Sequence, residues 1–267
     1  MFVLKRCAST VRLILAYAKA NTLAAMEYRS AFTVQVIAMA ANDCLWLFFW
    51  WNYFRQFPLA NGWQGTDIVI LWAVTACGFG LSVAVFGNAR QIAMLVMNGG
   101  LDAYLGMPRY ALLHVCIAAT DPPAWGDIIF AVGAFLLLVH PSLWQIVLFV
   151  VLVFLVSFIF TAFIVILCSL AFFLGNTEGM TQQMFGALIS FSTYPMDIFH
   201  GIVRVALFTV LPAGFISFVP LQLLRHFSWL LLGGLVGFTV LLVGMAVGLF
   251  ALGTRRYESG NLLGMQS

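Results

Sequence analysis

Long apolar runs alternate with short polar breaks along almost the whole chain, and none of the runs has a period of two. Uninterrupted runs predict transmembrane helices over 31–54, 66–87, 144–174 and 228–253, each at or above the ~20 residues needed to cross a bilayer. Another span falls within 110–139, broken by Asp121-Pro122-Pro123, because proline removes a backbone donor and crowds the preceding turn. A fifth span in chain order covers 180–194 and stops at Tyr194-Pro195. Beyond it, the apolar run 198–219 is interrupted by Gly201, Arg204, Pro212 and Gly214, and Pro220 closes it. Broken backbone at membrane depth survives only where protein or a watery cavity shelters its freed polar groups. Two arrangements fit: a re-entrant hairpin over 195–226 dipping into the outer leaflet, or one kinked span with an interfacial loop. With the hairpin preferred, the pattern predicts an all-α polytopic membrane protein with six transmembrane helices over 31–267.

The first thirty residues follow a different pattern. Lys5, Arg12 and Lys19 recur at intervals of seven, so they share a helical face, beside a strip of Leu4, Val11, Leu15 and Thr22. A basic amphipathic helix over 1–30 would lie on an anionic, cytosolic leaflet and contact lipid. The second irregularity is 88–109, where Ile92, Leu95 and Val96 form a short helical stripe ended by Asn98-Gly99-Gly100. An amphipathic helix facing the cytosol must cover its stripe with a partner or with lipid.

Polar residues inside the first span are candidates for function. Gln35, Met39, Asn42 and Trp46 share one face at helical spacing. Asp43 near mid-membrane is costly, so it must face protein, water or a partner. It either lines a transport path or makes a structural interhelical contact. The end of this span, from Trp46 to Phe54, is crowded with aromatic residues, as at a membrane interface. In the last span, Gly233-xxx-Gly237 and Gly244-xxx-Gly248 would permit close helix approach.

Composition agrees: 63% of the 267 residues are apolar, 8% are charged, and the mean hydropathy is +1.05. Lys and Arg set the orientation. With six spans, Lys5, Arg6, Arg12, Lys19, Arg29, Arg90, Arg109, Arg255 and Arg256 fall on one side, and only Arg55, Arg204 and Arg225 on the other. Both termini are therefore expected in the cytosol. The net charge of +3 reflects this topology, and no nucleic-acid partner is expected. The five cysteines are scattered and read as reduced, small apolar residues. There is no Walker A signature, no HExxH, no GxSxG and no His/Cys cluster at metal spacing. The chain is thus expected to bind no nucleotide, cofactor or metal and to catalyse nothing by itself.

Four segments carry a family resemblance: 100–108 (GLDAYLGMP), 194–199 (YPMDIF), 211–220 (LPAGFISFVP) and 255–261 (RRYESGN). Together they resemble the type-2 ATP-binding-cassette (ABC) permeases, in the branch of small uncharacterised transport-system permeases; His200 departs from it where proline is expected. The resemblance implies the membrane subunit of an exporter in the cell's inner (plasma) membrane. A separate nucleotide-binding subunit would carry ATP and Mg. It also implies a second permease subunit, a heterodimer being favoured over a homodimer, with first and fifth spans around a central path. That adds Met184 and Phe191 to Gln35, Met39, Asn42, Asp43 and Trp46. Residues 88–109 would be the coupling helix that docks on the ATPase through Arg90, Ile92, Leu95, Val96, Leu101 and Asp102. Tyr194, Pro195, Arg204, Pro212, Gly214 and Pro220 would shape the hairpin. The aromatic, apolar walls suit a hydrophobic or amphipathic substrate. The alternative is a secondary transporter or scaffold with no ATPase, which would favour inverted repeats; a neighbouring ATPase gene would discriminate the two.

Overall fold

The computed structural model describes residues 2–57, 62–107 and 110–257, with residues 2–8 given by their backbone alone. Every regular element among them is helical. Helix α1 (Phe2–Ala25) passes through a 3-10 turn at Met26–Tyr28 into α2 (Arg29–Gln56). Val11 and Leu15 on α1 are exposed, whereas Tyr17 meets His114 at 3.3 Å and Asn21 Nδ2 donates to the Ile117 carbonyl at 3.0 Å.

Helix α3 (Gly65–Phe86) starts at a capping box in which Gln64 and Asp67 satisfy each other's backbone donors. It is the buried centre of the molecule, packed between α7 (Ala124–Ala134) and α8 (Leu143–Ser169). Helix α2 packs mainly on α7, and α14 (Trp229–Thr254) packs on α8. Their buried side chains form one large apolar core, with a small satellite of Val83, Ala84 and Ala124 beside it. At its cytosol-predicted end α3 continues through a 3-10 turn (Gly87–Gln91) into α4 (Ile92–Met97). Gly99, at φ 74°, then reverses the chain into the single turn α5 (Asp102–Leu105).

The proline break predicted near residue 121 separates α6 (Ala111–Ile117) from α7, which ends in a π turn at Phe135–Val139. Neighbours satisfy the freed polar groups. Thr120 Oγ1 donates to the Ala84 carbonyl at 2.7 Å, Asp121 N to the Val83 carbonyl at 3.3 Å, and Asn88 Nδ2 to the Val115 carbonyl at 2.7 Å. Helix α3 thus shelters the break. After α8, the short α9 (Ala171–Leu174) leads to α10 (Glu178–Ser192). A 3-10 turn at Met196–Ile198 follows, then α11 (Gly201–Thr209), α12 (Ala213–Ile216) and α13 (Phe218–Arg225).

Among the described residues, four helical runs are long and apolar enough to cross a membrane: Ser9–Gln56, Gly65–Met97, Leu143–Leu174 and Trp229–Thr254. A fifth arises if Gly201–Thr209 and Ala213–Arg225, bent by 69° to each other, count as one span. The protein is therefore a multi-pass, all-helical membrane protein with about four to five candidate spans. Helix α10 has 15 residues, about 22 Å at 1.5 Å per residue, so it does not bridge a ~30 Å hydrocarbon core alone.

Two expectations need correction. Pro220 does not close its run; it lies in the first turn of α13, where the missing N–H has no intrahelical acceptor to lose. Among the described residues, Gly233, Gly237, Gly244 and Gly248 bring no helix of this chain close, since a Cβ on any of them would meet nothing. Helix α14 instead packs through the face of Leu235, Thr239, Leu242, Ala246 and Phe250.

Candidate functional site

Helix α2 is almost uncovered by the rest of the chain, although it carries a buried acid. Asp43 is 3% exposed, and its Oδ2 has no protein partner. Beside it stands Asp127 of α7, 2% exposed, with the two carboxyls in direct reach of each other. The sequence pattern that places them together is Gly126. A Cβ there would collide with the Val36 carbonyl and with Met39 Cβ, so only glycine lets α2 and α7 approach closely enough.

The two acids line a cavity of about 240 Å³ between α2, α3, α7 and α10. Met39, Asn42, Asp43 and Trp46 reach it together, on the face anticipated from their spacing. Trp46 and Trp72 stack at 6.0 Å with an interplanar angle of 23°. From α10 the lining side chains are Ile189 and Ser190, followed just past its end by Thr193 and Tyr194, whose ring meets Trp50 at 6.1 Å. Thr75 Oγ1 donates to the Ser192 carbonyl at 3.4 Å and ties α3 to the end of α10. The other anticipated residues do not join this cavity. Gln35 is exposed, and Met184 and Phe191 are half-buried outside the lining, Phe191 against Phe199 at 5.5 Å. Asp127 escaped sequence analysis because it follows a double-proline break whose span boundaries were open; its charge in an apolar run was the available signal.

Below the cavity, Arg90 packs over the rings of Phe79 at 5.4 Å and Phe185 at 5.5 Å. It pairs with Asp121 at 3.5 Å. Its position joins the segment after α3 to the start of α7 and the middle of α10. Within that segment the anticipated stripe points inward. Ile92 and Leu101 are fully buried, and Leu95 and Val96 are half-buried against this chain's own core, where α4 meets α8 and α9. A stripe packed on its own chain is not free for a partner, so the exposed side chains are instead Met94, Asp102 and Leu105. Asp102 stands beside Tyr257, and burial together with that carboxylate pushes the tyrosine hydroxyl up. Arg109 and residues 258–261 of the terminal motif lie outside the described residues.

The opposite end of α3 meets the bent helix pair through polar contacts. Arg225 pairs with Asp67, its Nε donating to Oδ1 at 2.6 Å, and its guanidinium lies 5.3 Å over the ring of Trp63. Trp63 Nε1 donates to Asp197 Oδ2 at 2.8 Å, and Arg204 pairs with the other oxygen of Asp197 at 3.1 Å. Pro195, Pro212, Gly214 and Pro220 are buried, and the Phe208 ring fills the place a Cβ on Gly214 would take. Asp67 and Trp63 were not foreseen as partners of this region; sequence distance hides such pairs.

No group of three or more metal-ligating side chains occurs among the described residues. A family model described as ABC-2 family transporter protein matches residues 40–261. No curated protein and no solved structure matches. With that match covering most of the chain, the protein belongs to the ABC-2 transporter family.

Proposed function

We propose that this chain is the membrane permease subunit of an ABC exporter, forming half of a dimeric path for a hydrophobic or amphipathic substrate. The family is one of membrane components rather than catalysts, and membership implies an ATPase in the same transport system. The observation that carries the finer reading is the state of α2. It is nearly bare along its length, yet holds Asp43 at a cavity edge. Asp43 is covered by this chain's own α7 and the cavity, whereas the apolar side chains Val34, Ile37, Leu45 and Phe48 on the rest of α2 stay exposed and offer a facing surface. A second permease, a heterodimer being favoured, would present its own first and fifth segments there.

In this reading the orientation places 88–109 and both termini in the cytosol of an inner-membrane protein. It places α1 on the leaflet surface and the pair α11–α13 as a re-entrant hairpin on the outer side. Six passes follow if α6–α7 and α10 each reach across with the help of neighbouring elements. ATP and Mg would sit in the partner ATPase. Force would enter through the exposed side chains of α4 and α5 and pass towards α7 and α10 through Arg90, which pairs with Asp121 just before α7 and packs on Phe185 of α10.

Proteoliposomes holding the complex test this. Asp43→Asn is expected to assemble normally while transport, or substrate-stimulated ATP hydrolysis, falls at least about tenfold, the loss of ~1.4 kcal/mol or more of transition-state stabilisation. Reduced assembly with unchanged specific activity would assign Asp43 a structural part instead.

A further inference from the structure

The cavity between α2, α3, α7 and α10 is short of positive charge. Asp43 and Asp127 adjoin each other inside it. Among the described residues, the one basic side chain whose charge bears on Asp127 is Arg90, and it is already paired with Asp121 and packed on two phenylalanine rings. Two carboxyls side by side in a low-dielectric site cannot both be ionised unless a cation joins them; a proton shared between them holds the pair until a cationic group displaces it. Among the described residues, Nε1 of Trp72, which is 6% exposed, and one carboxyl oxygen of Asp43, Oδ2, have no hydrogen-bond partner, although Asp43 also interacts with Asp127 and Asn42. Both belong to residues that line the cavity. A buried polar atom without a partner calls for one.

We infer that this cavity binds the positively charged head of an amphipathic organic cation, an ammonium or comparable group carried on an apolar body. The inference rests on the exporter reading and narrows its substrate class. A bare metal ion fits less well, since the described residues add no third acid, histidine or cysteine to the two acids, only neutral oxygens such as those of Asn42, Thr75 and Ser190 among tryptophan, methionine and phenylalanine side chains. An organic cation fits better. The acids face its charge, the Trp46 and Trp72 rings offer aromatic faces of the kind that bind ammonium groups, and Trp72 Nε1 can donate to an acceptor near the charged centre. The cavity's 240 Å³ is below the ~300–1,000 Å³ of pockets that enclose a whole drug-sized ligand. It suits a head group whose apolar body extends past Trp46, 41% exposed, onto the bare face of α2.

Ethidium, a fluorescent amphipathic cation, and anilinonaphthalene sulfonate, an amphipathic anion, make a matched pair of probes. Each is titrated without nucleotide onto the complex in phosphatidylglycerol nanodiscs, with protein-free discs subtracted. Wild type is expected to bind ethidium saturably. Asp43→Asn and Asp127→Asn should each weaken it about tenfold or more, as loss of a desolvated charge partner does, and Asp127→Glu should recover most of the affinity. Anion binding should change less than about twofold, the scatter allowed to a probe that does not use the acids. Unaltered ethidium affinity in both Asn variants would overturn the inference. So would parallel loss of both probes, or a wild type that binds no ethidium.

Repeating the titration with phosphatidylethanolamine in the discs separates two sources of the same chemistry. Unchanged affinity assigns the site to a free amphiphile, and competitive loss assigns it to a lipid ammonium head group; either upholds the cation class. Stimulation of ATP hydrolysis by ethidium is read separately. Saturable, acid-dependent binding with no stimulation would contradict the exporter reading and leave the cation site standing.

Discussion

Asp67 and Arg225, 158 positions apart, pair at the start of α3, where the same carboxylate also accepts from the backbone of Gln64 at 2.6 Å. One acid therefore caps the central helix and anchors the bent helix pair. The neighbouring pair, Arg204 with Asp197, is far more exposed. Breaking a mostly buried pair costs about 3–5 kcal/mol, against about 0–1 kcal/mol for an exposed one. Arg225→Ala should therefore lower the thermal midpoint of the detergent-solubilised protein much more than Arg204→Ala. Equal shifts would mean that the Asp67 contact is not an anchor.

Crowding at Gly126 leads to a second prediction. Even a methyl group there would press on the backbone of Val36 and on Met39, and overpacking of this kind costs about 1–3 kcal/mol. Gly126→Ala is expected to lower thermal stability and to disturb the stacked Trp46–Trp72 pair, seen as a change in tryptophan emission. Gly133→Ala, facing open space, should change neither.

The α4–α5 segment makes a third, contrastive prediction. Met94 and Leu105 are exposed, whereas Ile92 is 0% exposed. Met94→Glu and Leu105→Glu should leave membrane levels normal and abolish co-purification with the ATPase, because each buries an unpaired carboxylate in the docked state. Ile92→Glu should lower the membrane level itself. Undiminished co-purification in the first two variants would place coupling elsewhere.

How far these features could be read beforehand depended on whether the signal was local. The limits of α3, α8 and α14 follow closely from apolar runs, and the break before α7 from Asp121-Pro122-Pro123. Asp43 stood out because a carboxylate is rare in such a run. Its companion Asp127 did not, since the span holding it had no clear start. The stripe of Ile92, Leu95 and Val96 was legible as a helical face, but a stripe looks the same whether its own chain or a partner covers it. Here the chain covers Ile92 itself. The glycines of α14 matched a close-packing motif by spacing alone, and the actual contact surface lies on the larger side chains beside them. The link from Trp63 to Asp197 crosses 134 positions, and no local pattern announces a contact of that kind.

The measurement that bears most directly on the account is the composition and activity of the purified complex. The chain is tagged, extracted with its partners, and weighed by native mass spectrometry, and ATP hydrolysis is recorded on the same sample. The account predicts two permease chains with two copies of an ATPase, and hydrolysis that requires the ATPase copies and is lost with Met94→Glu. A chain that transports substrate after purifying without any ATPase would contradict it.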